Sequence, residues 1–207
     1  SSSYTYEDNT NTTTAGPGIN GAAWTMTDGA GNSATCLANE TVKIDKTAPT
    51  CTSSGGNAAW TNGTRTLTGT CTDTGGSSCS SATITKTYST EINSTTESPG
   101  TVTDGAGNTA ICPSTQTVKI DKTNPTCAVS GGSTSWINTS RTITGTCSDT
   151  AGSVNSGCVG NISYTYNPAA NTVVNITNGG PGSGGAAGTV IDNAGNSVSC
   201  PANQTVK

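Results

Sequence analysis

Histidine and phenylalanine are both absent from this 207-residue chain, and only 10% of its residues are charged. Without histidine, the chain cannot form a Ser-His-Asp or Cys-His catalytic site from its own residues. Its eight lysines and arginines are scattered singly and the net charge is −4, so no basic patch is present to bind nucleic acid. No apolar run is long enough to be a membrane span. The sequence therefore predicts no enzyme, no nucleic-acid partner and no membrane segment in these residues.

Carboxylates are also few, with twelve Asp and Glu residues in the whole chain. A glycosidase site needs two facing carboxylates in a cleft, and the nearest candidates are Glu91 and Glu97. We interpret the segment that carries them as a solvated loop.

Nine cysteines are spread evenly along a chain that is otherwise rich in Thr, Ser, Gly and Asn. Such a polar composition cannot build one large core, which leaves a disordered stalk or several small β-domains. Small secreted domains with thin cores use disulfides to compensate, and no C-x-x-C pair is present to suggest zinc. The cysteines therefore favour small disulfide-linked domains in an oxidising, extracellular location.

An internal repeat is the strongest signal in the sequence. The string TVKIDKTAPTC at 41–51 returns as TVKIDKTNPTC at 117–127, 76 residues later. The string DGAGN occurs at 28–32 and 104–108 and returns as DNAGN at 192–196, each time four residues before a cysteine. Alternation repeated in one frame with fixed cysteines argues against disorder.

This frame predicts three domains. Residues 46–121 and 122–207 form complete repeats. Residues 1–45 form a partial repeat with strands C to G only, because 3–6 match 163–166. The chain would then start and stop partway through the pattern, so we expect it to be cut from a longer repetitive protein.

Within each repeat, the local patterns predict strands and turns. The segment 65–71 alternates, which places Leu67, Gly69 and Cys71 on one face and threonines on the other. The glycines of the Asp-Gly-Ala-Gly-Asn turn supply the positive φ angles that a hairpin needs. Short strands separated by regular turn signals predict a β-sandwich.

The combined frame D-K-T-x-P-T-C, W-x-N, T-G-T-C-x-D and D-x-A-G-N-x-x-x-C resembles the bacterial immunoglobulin-like (Big-type) repeats of large surface adhesins and fibre proteins. The resemblance covers essentially the whole chain. It implies an all-β fold of tandem immunoglobulin-like Greek-key β-sandwiches. It also implies a structural stalk or fibre segment at the cell surface, which projects or assembles as a rod through neighbouring repeats of the same or identical chains.

Each complete repeat contains four cysteines, for which three pairings exist. All four lie at one pole of the implied sandwich, so position alone leaves the three pairings open. Similar repeats with only two cysteines keep those of strands A and G. The resemblance therefore implies the links Cys51–Cys112 with Cys71–Cys79, and Cys127–Cys200 with Cys147–Cys158. Cys36 then has no partner in this chain.

Carboxylates gather at the same pole. Asp45 ends one repeat, Asp73 lies in the following B–C loop, and Asp104 opens the F–G turn. Their counterparts in the next repeat are Asp121, Asp149 and Asp192. Related adhesin repeats hold calcium at such junctions, so the resemblance implies a structural calcium site, for which hard oxygen ligands are suited. The favoured alternative is that each Asp caps its own turn by accepting backbone N–H bonds. No other cofactor is expected.

The alternative to a stalk is an adhesive binding module that recognises a host or cell-surface glycan or protein. Its recognition loops would be 88–99 and 166–185, where the two repeats diverge most in length and sequence. Trp60 and Trp136 are candidate ligand platforms, although a Trp in a sparse sandwich more often fills the core.

Overall fold

The computed structural model of the chain describes residues 3–169 and 173–207. The described residues are all-β and form small antiparallel sheets of two or three strands. They also form two single 3-10 turns, Ile19–Gly21 and Ser183–Gly185. No helix in this part of the chain is long and apolar enough to span a membrane.

The strands are β1 (Thr10–Ala15), β2 (Trp24–Thr27), β3 (Ser33–Cys36), β4 (Glu40–Ile44), β5 (Thr50–Ser54), β6 (Arg65–Thr72), β7 (Thr83–Tyr88), β8 (Ile92–Glu97), β9 (Thr101–Thr103), β10 (Thr109–Ile111), β11 (Gln116–Ile120), β12 (Thr126–Ser130), β13 (Arg141–Ser148), β14 (Ile162–Tyr166), β15 (Ile176–Gly179), β16 (Gly188–Ile191), β17 (Ser197–Cys200) and β18 (Gln204–Val206).

The chain divides into two compact units. The first comprises Ser1–Gly55, Leu67–Lys86 and Ser98–Gln116, and the second comprises Gly56–Thr66, Thr87–Glu97 and Thr117–Lys207. These units do not follow the repeat frame, and the domain limits at 45/46 and 121/122 stay a prediction.

Two three-stranded sheets begin the two complete repeats, with the strand orders β5-β6-β7 and β12-β13-β14. In the first sheet, Cys51 of β5 lies directly opposite Cys71 of β6, and β12 pairs with β13 in the same register. Along β6, Leu67, Gly69 and Cys71 are buried while the residues between them are more exposed. The predicted alternation is therefore confirmed, and it turns one face of this strand towards the interior.

The three Asp-x-Ala-Gly-Asn sequences form the turns of the hairpins β2–β3, β9–β10 and β16–β17. The Gly before the Asn has a positive φ in each turn, of 90° at Gly31, 95° at Gly107 and 94° at Gly195. Residues with a side chain rarely adopt this conformation, so glycine is required at that position. The structure confirms the prediction of hairpins here.

The segments that the sequence suggested as variable loops contain regular structure. Strand β8 lies within 88–99 and pairs with β11, and strand β15 lies within 166–185 and pairs with β18. The interpretation of 88–99 as a solvated loop is therefore wrong. Strand β8 has the sequence Ile-Asn-Ser-Thr-Thr-Glu, whose single apolar residue gives no alternating pattern, and it becomes a strand because β11 supplies backbone partners.

Each unit has a small buried core of its own. In the first unit, Cys71, Val102 and Cys112 form one buried cluster. In the second unit, Ile143, Tyr166 and Val206 form another. Because two of the three buried residues of the first cluster are cysteines, its disulfides provide apolar packing as well as covalent links.

Candidate metal-binding clusters and disulfides

Four disulfides lie within the two units. The first unit contains the links Cys51–Cys112 and Cys71–Cys79. The second contains Cys127–Cys200 and Cys147–Cys158. We call Cys51–Cys112 and Cys127–Cys200 the long disulfides, and the other two the short disulfides. Cys36 is a free thiol. Four disulfides indicate that the folded chain occupies an oxidising environment.

A glycine in the middle of β6 and of β13 makes room for each long disulfide. A Cβ atom at Gly69 would lie 2.8 Å from Sγ of Cys112, and one at Gly145 would lie 2.9 Å from Sγ of Cys200. Cβ atoms essentially never approach other atoms so closely, so any side chain here would displace the sulfur. The glycine of the Thr-Gly-Thr-Cys motif is thus required by packing inside a strand.

Asp45, Asp73 and Asp104 come together in the first unit, and we call them the first aspartate cluster. Each offers one carboxylate oxygen, and the three oxygens lie within 4.8 Å of one another. Asp104 is 1% exposed, whereas the other two side chains are half-buried. The carboxylate of Asp45 accepts bonds from the amide (2.8 Å) and the hydroxyl (2.6 Å) of Ser77.

Asp121, Asp149 and Asp192 form the second aspartate cluster, in the second unit. Their three oxygens also lie within 4.8 Å of one another, and all three side chains are buried. Asp121 accepts a bond from the amide of Ser156, and Asp149 accepts one from the amide of Gly157, both at 2.7 Å. The two clusters therefore repeat the same arrangement with a different degree of burial.

The Asp that opens each hairpin turn also caps that turn. Oδ1 of Asp104 accepts the amides of Ala106 (2.9 Å) and Asn108 (2.8 Å), and Asp192 makes the equivalent bonds. Asp28 does the same, although it is exposed and lies in neither cluster. Turn capping, the predicted alternative to metal binding, thus occurs in all three turns, and the clusters exist in addition to it.

Each cluster keeps one buried carboxylate oxygen that has no hydrogen-bond donor, Oδ2 of Asp73 and Oδ1 of Asp149. The ammonium group of Lys46 donates a hydrogen bond to the backbone oxygen of Glu7 and not to a carboxylate of the first cluster. Calcium takes carboxylate oxygens at about 2.3–2.6 Å, so two of its ligands lie up to about 5 Å apart. The spacing of the carboxylates and the open oxygens therefore fit a calcium ion.

Hydrogen bonds favour the ionised form of two carboxyls in the first cluster. The hydroxyl of Ser77, together with the amide of Thr47, holds the pKa of Asp45 below its usual value. Burial alone would raise the pKa of Asp104, but bonds from Asn108 and the turn amides outweigh it and hold that pKa below its usual value. Both groups are therefore negatively charged at neutral pH, which is the form that binds a cation.

The same turns bind the segments 45–49 and 121–125, which we call the first and second linkers. Five residues separate β4 from β5, and five separate β11 from β12. The side-chain amide of Asn108 donates to the backbone oxygens of Asp45 (2.9 Å) and Thr47 (3.3 Å) in the first linker. Asn196 donates in the same way to Asp121 (2.9 Å) in the second. The sequence identified these asparagines only as turn residues, because a contact 63 or 75 residues away has no local signal.

Glu91 lies just before β8 and is hydrogen-bonded, which corrects the interpretation of its side chain as solvated. Its carboxylate accepts bonds from the hydroxyls of Thr123 and Ser153, the latter at 2.8 Å. These hydroxyls, that of Thr123 first, hold the pKa of Glu91 below its usual value. Glu97 accepts a bond from the hydroxyl of Tyr88.

Trp60 and Trp136 occupy the same position in the repeated sequence but differ in solvent exposure. Trp60 is half-buried with the ammonium nitrogen of Lys119 at 5.5 Å from its ring centroid. Trp136 is 60% exposed, with Lys207 at 5.8 Å. The expectation that Trp136 fills the core is therefore wrong, and its ring is held by a cation–π contact at the surface.

Comparison of the chain with protein-family models, with curated proteins and with solved structures finds no match. The matched residues of its own internal repeats can be compared with one another instead.

Proposed function

We propose that the chain is a non-catalytic structural segment, part of the stalk or fibre of a secreted or cell-surface bacterial protein. In this proposal the repeats are tandem immunoglobulin-like Greek-key sandwiches that project or assemble as a rod. The observation that carries the proposal is that each linker is bonded to the hairpin turn of the repeat that follows it, through Asn108 and Asn196. A stalk needs domains that resist unfolding and linkers that resist bending. The disulfides serve the first need and the two asparagines serve the second.

We also propose that the two aspartate clusters bind structural calcium. Asp45 and Asp121 belong to the linkers, whereas their cluster partners belong to loops of the following repeat. A calcium ion would neutralise three neighbouring carboxylates and tie each linker to two of those loops. This role reinforces the bonds of Asn108 and Asn196 rather than replacing them.

Small-angle X-ray scattering tests the role of the linkers. The double variant Asn108→Ala with Asn196→Ala removes both linker bonds, and we expect a broader distribution of interatomic distances with unchanged circular dichroism. Asn32→Ala is the matched control, because Asn32 bonds its own turn at Asp28. If the double variant and the control scatter alike, the linkers are not held by these asparagines and the stalk proposal loses its main support.

A specific observation also favours the adhesive alternative. A pocket of about 180 Å³ in the second unit is lined by Trp136, Tyr166 and Val174, among others. An exposed indole in a pocket that also carries polar side chains, Thr139, Arg141 and Lys207, is a surface on which a sugar ring can stack. Binding of the chain to a glycan array, lost in Trp136→Ala and kept in Trp60→Ala, would support this function over the stalk.

A further inference from the structure

The partial repeat has an exposed face that corresponds to a buried one in both complete repeats. Aligned on the Asp-x-Ala-Gly-Asn turn, Met26 of β2 corresponds to Val102 and Val190. Met26 is 46% exposed, whereas Val102 and Val190 are each 1% exposed. Every residue of β2 and β3 except Cys36 is exposed. We call the surface of these two strands that carries Trp24, Met26 and Cys36 the open face.

A pair of strands covers the equivalent surface in each complete repeat. In the first unit, Cys51 of β5 and Cys71 of β6 pack with Val102 and Cys112. In the second unit, β12 and β13 contact β17 and β16. In both cases a long disulfide joins the first covering strand to the cysteine that corresponds to Cys36.

The backbone at Tyr4 and Tyr6, which we call the edge, is a second place in the partial repeat where a strand can be added. In the second repeat, Tyr164 and Tyr166 belong to β14, which pairs along β13. Tyr4 and Tyr6 match them in sequence and make the same edge-to-face ring contact, with centroids 4.9 Å apart in both pairs. Yet Tyr4 and Tyr6 lie outside any strand. A single two-stranded element would therefore fill both the face and the edge.

We propose that the open face is a docking surface for a strand pair with the chemistry of β12 and β13. Its first strand would cover Met26 and carry a cysteine that bonds to Cys36. Its second strand would pair with the backbone of Tyr4 and Tyr6, as strands add to an unpaired edge elsewhere. The second strand must also carry a glycine opposite Cys36, because Gly145 makes room for the matching sulfur of Cys200.

The covalent step is the formation of one disulfide. The thiol of Cys36 and the thiol of the incoming cysteine each give up one proton and one electron, and a sulfur–sulfur bond forms between them. A disulfide oxidant such as oxidised glutathione takes up both electrons and both protons and becomes two thiols. The oxidising environment indicated by the other four disulfides is one in which this link persists.

A second copy of the chain is a poorer occupant of this surface. Two open faces placed together would bring two Cys36 thiols close to each other, but the edge at Tyr4 and Tyr6 would gain no strand. A strand pair would bury the apolar side chain of Met26, pair with the backbone at the edge and form a disulfide with Cys36. Strands β12 and β13 make the equivalent interactions in the complete repeat.

A peptide of residues 123–149 with Cys147→Ala is the probe, added to the full chain in a glutathione buffer that leaves the four native disulfides intact. We expect a one-to-one adduct linking Cys127 of the peptide to Cys36, identified by mass spectrometry. We also expect slower hydrogen exchange at the amides of β2 and β3. The same peptide with Cys127→Ala should still slow that exchange without forming the adduct.

The peptide with Gly145→Leu is the matched control, and it should form the adduct at least tenfold more slowly, because the leucine occupies the space of the Cys36 sulfur. Equal adduct formation by this control would mean that Cys36 is merely an accessible thiol, and would overturn the proposal. A predominant Cys36–Cys36 dimer of the chain in the presence of the peptide would overturn it in favour of a second copy.

Discussion

The two aspartate clusters contain the same residues in the same order, yet they differ in burial. All three carboxylates of the second cluster are buried, whereas Asp45 and Asp73 of the first are half-buried. A pocket of about 230 Å³, lined in part by Lys43 and Gly76, opens beside Asp45 in the first unit. In the second unit, Glu91 bonds to Thr123 and Ser153, which flank Asp121 and Asp149 in sequence.

The difference separates what a motif determines from what its surroundings determine. The turn bonds are the same for Asp28, which is exposed, and for Asp104 and Asp192, which are buried. They follow from five consecutive residues and are therefore local. Burial of the carboxylates depends on loops such as the one between Cys147 and Cys158. The sequence separation of these two cysteines is 11, whereas that of Cys71 and Cys79 is 8, so the second loop is three residues longer.

The long disulfides provide the largest expected effect, and they should be equal in the two repeats despite the unequal clusters. They close loops of 61 and 73 residues, for which the chain-entropy relation gives a stabilisation of roughly 4 kcal/mol each. We expect Cys51→Ala with Cys112→Ala, and Cys127→Ala with Cys200→Ala, each to lower the free energy of unfolding of its own repeat by about that amount. Hydrogen exchange read peptide by peptide measures this for each repeat. A loss below about 1 kcal/mol would show that the apolar cores alone are sufficient.

The glycines beside the long disulfides give the next largest effect. Gly69→Ala and Gly145→Ala each place a Cβ atom against a disulfide sulfur, at 2.8 and 2.9 Å. Overpacking of this kind costs about 1–3 kcal/mol in a buried site. Urea unfolding should show similar losses for both, with Gly29→Ala as the control, since its Cβ would meet nothing within 4 Å. A loss in the control as large as in either variant would mean that the sulfur contact is not what makes alanine unfavourable at Gly69 and Gly145.

Calcium binding should sharpen the difference between the clusters. We expect the buried second cluster to bind more tightly, so that isothermal calorimetry resolves two affinities. Asp149→Asn should weaken the tighter site at least about tenfold, which is about 1.4 kcal/mol, and Asp73→Asn should weaken only the other. Asp28→Asn, in a turn outside both clusters, should change neither affinity. Identical affinities at the two sites would show that burial of the carboxylates does not govern binding.

Acidification should remove the contact of Glu91, which is the smallest expected effect. The pKa of Glu91 in the folded chain lies below its usual value, so its bonds stabilise the fold at pH values above the usual carboxyl range. That stabilisation is lost as the pH falls through the folded pKa. Protection of the Ser153 amide against hydrogen exchange, relative to its intrinsic rate, should fall on acidification, and it should fall less in the Glu91→Gln variant. An equal loss of protection in the wild-type chain and the variant would mean that Glu91 does not protect this loop.

Local features of this fold could be predicted from the sequence, and non-local ones could not. The alternation of Leu67, Gly69 and Cys71 and the positive φ of Gly107 follow from short patterns, because side-chain direction and turn conformation depend on adjacent residues. Strand β8 was missed because its pairing is supplied by β11. The exposure of Trp136 was missed for a related reason, since the residues that would have to cover an indole lie elsewhere in the chain.

The candidate site shows the same division. The composition of both clusters could be predicted, because a repeat frame places matched Asp residues at matched loops. The contributions of Ser77 and Ser156 could not, since serine is too common in this chain to mark a position. Cys51 and Cys71 lie opposite each other on one face of the β5–β6 pair, yet they bond to Cys112 and Cys79, a choice that depends on where folding places those two distant cysteines.

The long disulfides also determine how the chain would respond to a pulling force applied along it. Tension entering at Cys51 passes directly to Cys112 through the sulfur bridge, and tension entering at Cys127 passes to Cys200. The residues inside these two loops cannot be straightened even if their strands separate. Since an extended chain spans about 3.3–3.6 Å per residue, roughly 200 Å or more of length per repeat stays locked until a bridge is reduced. The repeat would therefore behave under load as a nearly inextensible link whose strength is covalent.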